Sequence, residues 1–185
     1  QEGAALGRIR WKDLNNDGKI TEADQEWIYD PTPDFTYGFN IYLEYKNFDF
    51  TAFFQGVQGV DIISDLKKET DIWAGLNIGF LNKGRRLLDA WSATNPNSNI
   101  PAVSLSDNNN EKRVSSYWVE NGSYLKLRTV QIGYNVPKSF AQKLAMERLR
   151  FYLSAQNLFT VKSSSFTGVD PENPNYGYPI PLNIT

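Results

Sequence analysis

Asp13, Asn15, Asp17, Lys19, Thr21 and Asp24 occupy positions 1, 3, 5, 7, 9 and 12 of a single run, with Gly18 at position 6. That spacing is the spacing of a calcium loop. Alternate residues of a tight turn can aim several oxygens at one point, which is what a hard cation requires. Asp13, Asn15 and Asp17 supply side-chain oxygens, Lys19 only its carbonyl, and Thr21 a position often bridged by water. Gly18 falls where the backbone must turn sharply, and Asp24 closes the loop. An Asp at position 12 reaches less far than the usual Glu, which weakens bidentate closure. The expected ligand is Ca2+ in a structural role. Only one loop is present, and its flanks are not the amphipathic helices a calcium switch would open. Gly7–Lys12 reads as a strand, and Pro31 ends any helix after the loop.

Other chemistry is sparse. The chain has no cysteine and no histidine, which removes disulfides, thiolate sites, most zinc chemistry and the commonest general base. Asp49, Asp61, Asp65, Glu69, Asp71 and Asp89 could in principle include a catalytic carboxylate pair, but no spacing singles one out. Nor is there a phosphate loop or a nucleophile motif. The chain is therefore read as a non-enzyme. A net charge of −2 gives no basic footprint for nucleic acid.

The elements that must position the loop alternate with period two. In Phe35–Lys46 the residues Phe35, Tyr37, Phe39, Ile41, Leu43 and Tyr45 share one face, opposite Asn40 and Glu44. Phe48–Val57 follows after a very short turn, so the two form a hairpin. Alternation returns over Ser123–Tyr134 and Leu149–Thr160, with Lys126, Arg128 and Gln156 on the polar side. Four strands of about 10 to 12 residues exceed the soluble norm of roughly 5 or 6. They match the roughly 9 to 11 residues of a tilted strand crossing a bilayer. No apolar run approaches the roughly 20 residues of a membrane helix. The expected fold is all-β, an antiparallel part of a transmembrane barrel with short helices only. The expected divisions are 1–34 (strand and EF-hand-like calcium loop), 35–57 (hairpin), 58–121 (long loop region) and 122–185 (further barrel strands). A soluble, calcium-stabilised, carbohydrate-binding β-domain stands as the alternative.

Several segments carry a family resemblance. They are Asp13-Leu-Asn-Asn-Asp-Gly-Lys-Ile, Tyr37-Gly-Phe-Asn, Tyr45-Lys-Asn-Phe-Asp-Phe-Thr-Ala-Phe-Phe-Gln-Gly and Gly122-Ser-Tyr-Leu-Lys-Leu-Arg. Leu149-Arg-Phe-Tyr-Leu-Ser-Ala-Gln-Asn-Leu-Phe-Thr and Asp170-Pro-Glu complete the set. In this order they resemble the C-terminal barrel segment of SusC/RagA-type TonB-dependent outer-membrane transporters. The resemblance implies a location in the bacterial outer membrane among its lipids. It also implies TonB-driven import of oligosaccharides, or of peptides in related systems, with a SusD-like lipoprotein as lid. The plug, the rest of the barrel and the part that meets TonB would lie outside this sequence, which reads as a piece that stops partway into a final strand. On this reading 58–121 is extracellular, and Trp73, Trp91 and Trp118 are candidates to stack on sugar rings. Against that stands loop packing or anchoring in a membrane belt, the commoner uses of a tryptophan.

Overall fold

A computed structural model describes residues 3–71, 83–104, 106, 107, 109–174 and 181–185. They fall into two compact units. The first draws on Gln1–Asp30, Ile62–Glu120 and Pro174–Tyr176, and the second on Pro31–Asp61, Asn121–Asn173 and Gly177–Thr185.

The second unit is an antiparallel sheet. Its strands are β1 (Phe35–Tyr45), β2 (Phe48–Gln58), β5 (Tyr124–Asn135), β6 (Arg150–Lys162) and β7 (Asn183–Ile184), ordered β1-β2-β5-β6-β7. The sheet is open, and the edge strand β1 is exposed along its whole length. Lys46 and Asn47 alone join β1 to β2, with Lys46 at φ 54°. Residues 136–149, which include the short helix α2 (Lys138–Ala141), join β5 to β6 at the same end. At the other end the connections are long.

The register shows how the alternation is used. Phe39 faces Phe54, Ile41 faces Ala52, and Leu43 faces Phe50. Phe50 then faces Ile132 and Ala52 faces Val130, and those residues face Leu153 and Ala155 on β6. Directly opposed residues share a face, so one apolar band crosses four strands without a break. Phe39 and Phe54 stack at 4.7 Å between ring centres, and Phe54 meets Phe159 edge to face at 6.5 Å. Tyr37 lies across Gly56, where a Cβ would fall inside the tyrosine ring. The band nevertheless remains open to solvent, as at Leu153, which is 60% exposed.

The opposite face is polar. Its register contains a bulge, because Phe53 faces Thr129 while Phe54 faces Leu127. Arg128 is the extra residue. It joins Lys126 and Thr129 on the polar side, so the apolar set continues at Val130 without changing face.

The first unit holds few regular elements. A 3-10 turn spans Glu22–Asp24, helix α1 spans Asp65–Asp71, and further 3-10 turns span Arg85–Asp89 and Ser116–Trp118. The short strands β3 (Asp61–Ile63) and β4 (Val119–Asn121) pair with each other where the two units meet in sequence. Among the described residues, no helix is long and apolar enough to cross a membrane, which says nothing about crossing by strands.

One expectation is corrected by the structure. Gly7–Lys12 is not a strand. It turns at Leu6–Arg8 and runs on as irregular chain to Lys12. The reason is visible in its partners. Ile9 N–H and the Arg8 guanidinium both bond the Glu111 carboxylate, and Asn109 Nδ2 donates to the Ile9 carbonyl at 2.7 Å. Side chains thus take the backbone groups a neighbouring strand would have used. The same bonds tie the N-terminal segment to residues 109–111. Ile9, Ile63 and Tyr117 pack against Trp118.

Candidate functional site

The loop Asp13–Asp24 closes on its own backbone. Asp13 accepts from the N–H groups of Asn16 and Gly18 at 2.7 and 2.8 Å. Asn15 Oδ1 accepts from Asp17 N–H, and Asp17 Oδ1 from Lys19 N–H. Asp24 spans the loop, accepting from Leu14 N–H at 2.8 Å and Thr21 N–H at 2.7 Å. Thr21 Oγ1 accepts in turn from Ala23 N–H, so Thr21 and Asp24 form a reciprocal capping box. Gly18 sits at φ +80°, a left-handed conformation that other residues adopt with strain. The backbone donors at Thr21 and Leu14 hold the Asp24 carboxyl below its ordinary range. Each of these oxygens keeps a second lone pair. Two aspartates, an asparagine, a closing aspartate and the Lys19 carbonyl are the oxygen types that calcium takes. Among the described residues no group of three or more His, Cys, Asp or Glu side chains gathers as a metal site. The loop's own carboxylates, Asp13, Asp17 and Asp24, do not gather as such a group.

The tryptophans singled out in the sequence are scattered. Trp73 lies outside the described residues. Trp91 is half-buried and lies over Gly7, while its backbone N–H donates to the Ile100 carbonyl at 2.8 Å. Trp118 is 0% exposed and its indole N–H donates to the Arg113 carbonyl. In this structure it has the packing role and offers no face for stacking. Beside it, Tyr117 donates to Asp71 at 2.7 Å, and Arg86 pairs with the same carboxylate. Burial and that acceptor push the Tyr117 hydroxyl above its ordinary range. Lys67 lies 4.1 Å over the Tyr117 ring and pairs with Glu120, and burial lowers its pKa.

The polar face of the sheet carries a second constellation. Lys126, 0% exposed, pairs with Asp170 at 2.9 Å and with Glu172 at 2.5 Å. Glu172 also accepts from Tyr124 and Arg128, and Arg128 reaches Gln55 at 2.7 Å and Asn157. Burial alone would raise the Glu172 carboxyl, but donation from Lys126 and Tyr124 outweighs it and holds the group below its ordinary range. Toward the other strand end Arg150 pairs with Asp49 at 2.5 Å, and Asn135 donates to the same carboxylate. The sequence placed Lys126 and Arg128 on the polar side without naming their partners. Asp170 and Glu172 lie more than forty residues away, and only the return of the chain after β6 brings them there.

An apolar band open on one face and buried charge on the other is the pattern of a barrel wall, and the comparisons agree. The chain is 41% identical over 160 residues to TonB-dependent receptor P3 of Formosa agariphila, covering 86% of this chain and 15% of that protein. It belongs to the TonB-dependent receptors. TonB-dependent receptor P26 of the same organism is 34% identical over 93% of the chain and 17% of its own length. TonB-dependent receptor SusC of Bacteroides thetaiotaomicron is 28% identical over 86% of the chain and 15% of its own. Among solved structures, that of the RagAB peptide transporter superposes with a TM-score of 0.68 at 29% identity, covering 85% of this chain and 17% of that one. No family model matches the chain. The chain thus spans about 15% of the length of the curated receptors it matches. The open sheet is antiparallel, as in the transporter barrels it resembles.

Proposed function

We propose that this receptor segment forms part of the wall of an outer-membrane importer that takes up nutrients with energy relayed by TonB. The observation that carries the reading is the two-faced sheet. In register across four strands, one face is apolar and solvent-open, whereas the other holds Lys126, Arg128, Asp170 and Glu172 in one network. The apolar face suits lipid and the polar face a lumen. The long connections are then extracellular and the two short ones periplasmic. A SusD-type surface lipoprotein is the proposed partner, which the kinship to SusC and RagAB supports. The proposed cargo is an oligosaccharide. A peptide is the alternative, favoured by the RagAB neighbours, which are described as a peptide transporter.

We also propose that Asp13, Asn15, Asp17, Lys19, Thr21 and Asp24 hold one Ca2+. The ion would bring positive charge to the loop's carboxylates and fix the loop as a staple. It would take no part in moving cargo.

The test of the wall is arginine placed on either face of the receptor. Leu153→Arg and Ile132→Arg should each cost about 2–4 kcal/mol if near the bilayer midplane and deplete the receptor from outer-membrane fractions. Gln131→Arg, on the other face of the same strand, should leave the amount unchanged. Equal depletion by both kinds of substitution would overturn the reading.

A further inference from the structure

After Lys162 the chain turns back over the polar face of the sheet instead of leaving its end. Ser163 N–H donates to the Ser123 carbonyl at 3.0 Å, one step beyond the pairing of Tyr124 with Lys162. Phe166 is then buried, and Gly168 passes so close that a Cβ would come within 2.5 Å of its ring. The Lys162 ammonium lies 5.1 Å over the same ring and donates to the Gly168 carbonyl.

Asp170-Pro171-Glu172-Asn173 ends this course in a turn. Pro171 presets the backbone at the second position, and Asn173 N–H donates to the Asp170 carbonyl at 3.0 Å. The Asp170 carboxylate accepts from Glu172 N–H at 3.0 Å. The turn itself thus sets the two acidic side chains to meet the wall together.

The wall is shaped to receive them. Tyr124, Lys126 and Arg128 all reach these carboxylates. Arg128 is the extra residue against β2, and on its other side β6 sets two residues, Asn157 and Leu158, against it. Asn157 takes φ 54°, uncommon outside glycine. From there its Oδ1 accepts from Arg128 at 3.5 Å and its Nδ2 donates to the Pro181 carbonyl at 3.2 Å. Bulges re-aim side chains, and here two of them meet at the residue that holds Glu172.

The network is closed in charge, with two cations against two carboxylates, and Lys126 at its centre is fully buried. Further strands of a receptor can only cover it more. Pulling the turn away would leave buried charges uncompensated, so the attachment is fixed. Lys126 stands near the end of β5 where the connections are long. We infer that residues 163–173 form a strap folded into the lumen near its extracellular mouth, fastened to the wall by Lys126 and Arg128. Cargo passing this side of the barrel meets the strap, and the two cations behind it are withheld. The inference rests on the wall reading, in which the polar face lines the lumen.

The experiment uses the whole receptor in intact cells, with Val169→Cys as the sole thiol and any other cysteine replaced. Val169 lies in the strap beside Asp170. A small membrane-impermeant maleimide is compared with a polymer-linked maleimide too bulky to enter a barrel. The small reagent should label the thiol and the bulky one should not. With Asp170→Asn and Glu172→Gln added, the strap loses its fastening, and the bulky reagent should label as readily as the small one. Outer-membrane amounts of each variant are measured alongside. Glu172→Gln alone, which keeps an acceptor for Tyr124 and Arg128, takes the place of the double substitution if that receptor does not reach the membrane. Labelling of the fastened receptor by the bulky reagent would show a loop that projects outward and would overturn the strap. So would labelling by neither reagent, since a strap in the lumen is wet, and so would protection that survives the unfastening substitutions. Failure of the wall reading is seen separately, as equal depletion by Leu153→Arg and Gln131→Arg, whichever reagent reaches the thiol.

Discussion

Asp24 shows how much one side chain can organise. Its two oxygens accept backbone N–H groups from opposite ends of the loop, at Leu14 and Thr21. Its folded-state pKa lies below the ordinary 3.8. A depressed carboxylate contributes stability above the unfolded pKa and loses it as pH falls through the folded value. The amide-proton shifts of Leu14 and Thr21 should therefore be constant from neutral pH down to about 4 and move together below it. Titration of either amide near neutrality would contradict that assignment. Calcium should act on the same group. Asp24→Asn keeps an acceptor but removes a charge, so calcium affinity should fall by roughly tenfold or more in titration calorimetry. Chelation should speed proteolysis within Asp13–Asp24. Chelation should loosen the loop without blocking cargo uptake, and loss of all cargo binding on calcium removal would contradict a structural role for the ion.

At the scale of elements, β5 and the chain that returns after β6 depend on one buried cation. Lys126 neutralises Asp170 and shares Glu172 with Arg128. Removing one partner of a buried network leaves the other charges uncompensated, at a cost of about 3–5 kcal/mol. Lys126→Ala should accordingly release the segment after Lys162 from the sheet, read as a local gain in amide exchange at Asp170–Glu172. Unchanged exchange there would show the network to be ornamental. The strands themselves were legible in the alternation, because a half-buried sheet repeats with period two. The bulge is equally legible. Apolar residues are odd-numbered at Leu125 and Leu127 and even-numbered at Val130, Ile132 and Tyr134, and only an extra residue between them keeps all five on one face. The ion network was not legible, since its partners are local to nothing in sequence. Gly7–Lys12 misled for a related reason. Its residues suit a strand, but Asn109 and Glu111, a hundred residues away, satisfy its backbone instead.

At the scale of the whole molecule, the sheet presents two surfaces that water does not favour. One is the apolar band from Phe39 to Leu153. The other is β1, whose outer edge offers unpaired N–H and C=O groups from Phe35 to Tyr45. A long apolar edge strand is a template for pairing with another chain. Burial of apolar surface favours association by about 25 cal/mol per Å², so the two surfaces act in the same direction. In a receptor wall, lipid covers the band and a neighbouring strand takes the edge. Produced alone in plain buffer, the chain should therefore self-associate, eluting near the void volume in size-exclusion chromatography. In detergent micelles the band is covered but the edge is not, so small oligomers should remain. Lysine at alternate β1 positions facing the band, such as Ile41→Lys and Leu43→Lys, should improve solubility in buffer and impair membrane insertion of the receptor. These opposite effects come from one cause, the exchange of lipid for water against that face. A chain that ran as a stable monomer in plain buffer would satisfy the soluble carbohydrate-binding alternative and remove the physical basis for the wall.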